Sequence, residues 1–171
     1  MPVVAAQSFV KGILQNLVPP GDTGLRQPIS ALITPLDPDV NPDGIARVYV
    51  WPAGGPGKRL ATPRNSGPGY TSAGAKQIEH DLQVFMVWMD DPSDQNPDLN
   101  FPALIDFVWL TLETSPSPSL YTDPATGAQT QMVNLGEKMS YDFVPPRTLE
   151  PQSMRRYDAR IRCSLTEIYQ A

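Results

Sequence analysis

The sequence is poor in the side chains that most catalytic chemistry needs, with one histidine, His80, and one cysteine, Cys163. A lone cysteine forms no internal disulfide, which fits a reducing compartment or simple indifference to redox. Metal centres built from clustered His and Cys lack their ligands. No apolar run approaches the length of a membrane span, so neither a transmembrane helix nor a membrane partner is expected. The first residues show no basic start followed by an apolar stretch, so no secretory signal is expected either. Lys and Arg are missing altogether from residues 77–137, where ten acids occur between Glu79 and Glu137. With a net charge of −5 and a pI of about 4.7, the chain is a poor candidate for a dedicated nucleic-acid binder.

What the sequence has in excess is proline and glycine. There are 20 Pro and 12 Gly among 171 residues, about one residue in five where roughly one in eight is usual. That predicts a folded core with long, stiff connections. The 40% of hydrophobic residues is enough for one core, so residues 1–171 are read as a single domain with extended loops at 52–74 and 115–136. The charge changes sign after Pro145, where Arg147, Arg155, Arg156, Arg160 and Arg162 face only Glu150, Asp158 and Glu167. Solvated faces account for such a split in most proteins. An assembly gives it a further use, because an acidic flank of one copy meets a basic flank of the next.

Periodicity places the elements. Residues 5–18 carry Phe9, Val10, Ile13, Leu14 and Leu17 at helical spacing, and Pro19, Pro20 and Gly21 are expected to end that helix. A short extended piece at 29–33 precedes the turn chemistry of 37–44. A strand at 45–51 puts Val48 and Val50 on one face and Tyr49 and Trp51 on the other. Residues 52–74 read as an arm or loose hairpin that orders on a partner. The strand at 78–89 aligns Ile78, His80, Leu82, Val84, Met86 and Trp88, and its opposite face turns apolar only at Phe85, Val87 and Met89. A helix at 102–113, capped by Asn100, follows. Its apolar stripe, widened by Phe107 and Leu110, predicts cover from more than the sheet. Residues 115–136 read as irregular, with Asp123 to Gly127 able to close a hairpin. A short strand at 140–144 should break at Pro145 and Pro146. The last strand, 154–169, alternates until Glu167, where the phase slips as at a bulge or strand end. The whole is an α+β fold: a mixed, mainly antiparallel sheet packed by two helices, with long Pro/Gly-rich loops.

Motifs for chemistry are weak. His80 shares a face with Ile78 and Leu82 and reads as a half-buried strand histidine, and Cys163 as an inert core thiol. The segments Gly54–Lys58 and Gly69–Lys76 lack the spacing of a phosphate-binding loop. Asp39, Asn41, Asp43 and Gly44 open like a calcium loop, but Val50 stands where the closing carboxylate belongs. Acids are plentiful, yet no spacing selects a catalytic pair. No catalytic, cofactor or metal residue is therefore assigned. The candidate interface residues are the loop cations Lys58, Arg59 and Arg64, the acids Asp90, Asp91 and Asp94, and the strand arginines Arg156, Arg160 and Arg162.

The order of elements, and the character of residues 81–89, 101–113 and 156–169 in particular, resembles the tail-terminator and neck proteins of long-tailed bacteriophages. That resemblance implies a virion structural protein rather than an enzyme, assembled in the host cytoplasm. It implies a closed ring of identical subunits, six in number, that caps the tail tube, stops its polymerisation and docks to the head connector or head-closure protein. Transient contact with DNA in the channel would follow, without a cofactor. Other virion parts, such as a tail-tube or head-closure subunit, and a small carboxylate-dependent enzyme are the alternatives.

Overall fold

In the computed structural model, residues 2–20, 29–32, 45–53, 58–60, 76–89, 96–124, 127–149 and 154–169 are described. Two long strands form the spine. They are β4 (Lys76–Met89) and β8 (Met154–Tyr169), antiparallel from Lys76 opposite Tyr169 to Met89 opposite Arg156. Each carries two strands along its other edge. β2 (Arg47–Pro52) and the short β3 (Lys58–Leu60) share β4, while β6 (Gln129–Val133) and β7 (Met139–Leu149) share β8. β1 (Ser30–Leu32) lies parallel to β2 at one margin, and β5 (Ser119–Thr122) pairs β6 at the other. The result is an α+β protein with an eight-stranded, mostly antiparallel sheet.

The strict alternation of β4 and β8 gives the sheet two unlike faces. On the inner face, Leu82, Val84, Met86 and Trp88 meet Tyr157, Ala159, Ile161, Cys163 and Leu165, all buried. Helices α1 (Pro2–Leu14) and α2 (Pro97–Glu113) cover it with Ala6, Val10 and Leu14 from the first and Phe101, Leu104, Ile105, Val108 and Leu112 from the second. Trp88, Phe101 and Tyr157 touch one another with ring centroids 5.3–6.2 Å apart, each such pair adding about 0.5–1.5 kcal/mol beyond area burial. The other face of β4 is polar or half-buried through Gln83 and closes over only at Val87 and Met89, as the composition of the strand predicts.

Several boundaries differ from the sequence expectation, each for a physical reason. Helix α1 stops at Leu14, ahead of the prolines. Asn16 adopts φ 64°, a left-handed residue of the kind that ends helices. Its amide donates to the carbonyl of Ile29, and Gln15 Oε1 accepts from the amide of Ala31, so the helix end is tied to the start of β1. Helix α2 starts five residues before the expected Pro102, with Pro97 in the first turn and Pro102 inside the helix. An interior proline normally breaks a helix, since it forfeits one hydrogen bond and crowds the preceding turn. Here the first turn is anchored from outside: Asp98 accepts from the Tyr157 hydroxyl at 2.7 Å and from Arg155 at 2.9 Å.

The region expected to be irregular, 115–136, is largely the β5–β6 hairpin, closed around Asp123 and Ala128 as the turn sequence suggested. β7 does not end at Val144. It shifts register between Val144 and Arg147 and runs on to Leu149, the prolines sitting at that irregularity. Prolines are tolerated there because, among the described strands, β7 pairs with β8 alone, and a proline on an edge or at a bulge removes no ladder bond. The expected turn at 37–44 and most of 52–74 lie outside the described residues. No described helix is long and apolar enough to cross a membrane.

Candidate functional site

The phase slip expected at Glu167 does not occur. β8 stays in register, so Glu167 points to the inner face, diagonal to His80 and 97% buried. His80 Nε2 lies 2.9 Å from Glu167 Oε2, and both side chains are almost wholly buried. The sequence offered one signal for this pair, a histidine and a glutamate in phase with two apolar faces, which the apolar Ile168 obscured. Around them stand Leu82, Leu165 and Met132, the last directly opposite Glu167 on β6. The pair is held on the inner face of the sheet, with both side chains out of solvent.

Cys163 also lies on the inner face. Burial, with the Asp81 charge as a smaller cause, pushes its thiol up to about 12, so the nucleophilic thiolate is not formed near neutrality. At the opposite end, burial and the hydrogen bond to Asp98 raise the Tyr157 hydroxyl to about 12. In return, that hydrogen bond, and then Arg155, lower the Asp98 carboxyl below its usual range. These three residues fasten α2 to β8.

The outer face is a set of cross-strand rows read from register. One row is Trp51, Gln83, Arg162 and Ser140. The next is Tyr49, Phe85, Arg160 and Asp142, and the last joins Met89, Arg156 and Arg147. Arg160 stacks its guanidinium 4.7 Å from the centre of the Phe85 ring. Arg156 grips Asp158 at 2.9–3.1 Å through three contacts. Arg162 reaches Asp142 only at 3.4 Å with both side chains more than half exposed, a pairing worth about 0–1 kcal/mol. The acids gather at the other end, where Glu79 pairs with Lys138 at 3.2 Å. Between the ends, an open depression of about 460 Å³ is lined by Ala53, Asp81, Lys138, Ser140, Arg162 and Ser164.

The structure thus brings Arg156, Arg160 and Arg162 together on one face, as expected, while giving each a different local contact. Lys58 and Arg59 fall on β3, beside β4. Arg64, Asp90, Asp91 and Asp94 lie outside the described residues, as do the calcium-like residues Asp39 to Gly44. Sequence reasoning missed the flank between α2 and β7. There Tyr141 packs edge-on to Trp109 at 5.8 Å and Phe143 to Phe101 at 5.7 Å, yet Tyr141 and Phe143 remain 57% and 44% exposed. No protein-family model matches the chain, and no curated protein is significantly similar to it.

Proposed function

We propose that the chain is a structural subunit of a phage neck, a tail terminator that closes into a ring of identical copies between tail tube and head connector. The observation that carries this reading is the pair of unlike, solvent-facing surfaces on opposite sides of one rigid sheet. One is a helix flank with Leu99, Leu110, Tyr141 and Phe143 exposed, and the other is an arginine-bearing sheet face with Trp51 exposed. Two different surfaces are what a heterologous contact needs, and a heterologous contact that closes makes a ring. The element order of helix, strands, long strand, helix, hairpin and long final strand, present in the fold, supports the same reading.

In this role the long β4–β8 pair serves as the stiff member, and the exposed surfaces serve as joints. Docking to the tube and to the head-closure protein uses the ring's two rims. A tail-tube subunit is the closest alternative, and the two differ in whether growth stops. Negative-stain microscopy of concentrated, chemically fixed protein separates them: closed rings of one diameter are expected, whereas stacked tubes would favour a tube subunit.

A further inference from the structure

The solvent stripe of α2 has a composition unlike an ordinary exposed helix face. Leu99, Asp106, Leu110 and Glu113 follow one another along it, with Leu99 70% and Leu110 56% exposed. The helix contains Asp98, Asp106 and Glu113 and no Lys or Arg. Among the described residues, no ion pair or side-chain hydrogen bond engages Asp106 or Glu113. On the opposite side of the molecule the outer sheet face shows the reverse pattern. Trp51 is 42% exposed at the margin of the row that contains Arg162, with Arg160 in the next row and Arg147 further along.

We infer that the α2 stripe of one copy seats on the outer sheet face of a second copy, with Leu110 against Trp51 and Asp106 toward Arg162. Charge selects the occupant. A helix stripe with Asp106 and Glu113 and no cation meets a sheet region where Arg147, Arg156, Arg160 and Arg162 outnumber Asp142 and Asp158, so the chain's own back surface complements its front. Trp51 supplies an aromatic anchor of the kind that dominates interfaces. The loose Arg162–Asp142 pair is free to exchange its acid for Asp106 at little cost. Because the two surfaces differ, the contact is head-to-tail and each copy uses both.

This contact rests on the ring reading for its purpose but not for its existence, and one set of measurements tells them apart. Sedimentation velocity of the full chain across a concentration series should show self-association that weakens with salt. Leu110→Arg and Trp51→Glu should each weaken it about tenfold or more. Asp106→Arg and Arg162→Asp should each weaken it similarly, and mixing these two variants should restore association, since one contributes an intact sheet face and the other an intact helix face. A mixture of Leu110→Cys and Trp51→Cys proteins should form an intermolecular disulfide under oxidation, with the buried Cys163 thiol as an inert background. Association that ignores all four substitutions, or no association and no crosslink at any concentration, overturns the contact. Closed rings insensitive to these substitutions would refute the contact and leave the terminator reading standing. Association that depends on them but yields only open fibres would do the reverse.

Discussion

At the scale of single residues, the inner face holds its two polar surprises by pairing them. A buried histidine and glutamate are costly to bring out of water, and the 2.9 Å contact offsets that cost only while both are present. Removing one partner leaves the other buried and unpaired, so His80→Leu or Glu167→Leu should each cost about 3–5 kcal/mol. The double substitution to leucine should cost much less than the sum, and chemical denaturation of the three variants checks this. The thiol follows a different rule. Folding raises Cys163 from 9.0 to about 12 and Tyr157 from 10.0 to about 12. The unfolded chain therefore loses these protons first as pH rises, and stability falls from about pH 9 upward, the part of it due to these groups being fully present only below that range. Cys163→Ala should flatten the beginning of that decline. In native protein at neutral pH the thiol should resist an aromatic disulfide reagent and react only on unfolding.

Among the elements, α2 shows how tertiary contacts override local signals. Asn100 and Pro102 look like a helix start, and by propensity alone they are one. The Asp98 carboxylate, gripped by Tyr157 and Arg155 from β8, moves the start back to Pro97. Tyr157→Phe should therefore loosen the first turn at a cost of about 1 kcal/mol, visible as faster amide exchange in residues 98–102 with little change elsewhere. The turn after β6 depends on a backbone constraint instead. Gly136 sits at φ 88°, and a Cβ there would lie 2.8 Å from the Glu113 backbone. Gly136→Ala should cost more than 1 kcal/mol, since neither the left-handed angle nor the helix end can give way. The strands β4 and β8 were legible because their alternation is long and nearly unbroken, and so were the inner faces of β2 and α1. Long-range pairing was not: Asp98 with Tyr157, His80 with Glu167, and β7 continuing past two prolines each depend on a partner distant in sequence. The flank of Tyr141 and Phe143 stayed hidden for the same reason, because those residues read as a short strand until β8 fixes which side they face.

For the molecule as a whole, the arrangement is a stiff two-strand spine with helices on one side and, on the other, an arginine-bearing sheet face that is exposed at Trp51 and Arg162 and closed over at Val87 and Met89. Leu110, Trp51, Tyr141 and Phe143 stand in solvent, and the proposed assembly of like subunits would cover them. Assembly through unlike faces leads either to a closed ring or to an open polymer, and the terminator role requires closure. The most direct test is the mass distribution of concentrated wild-type protein after brief chemical fixation. The account predicts one dominant closed oligomer whose mass stays constant as concentration increases. A ladder that lengthens without limit, or monomer alone at every concentration, would contradict it.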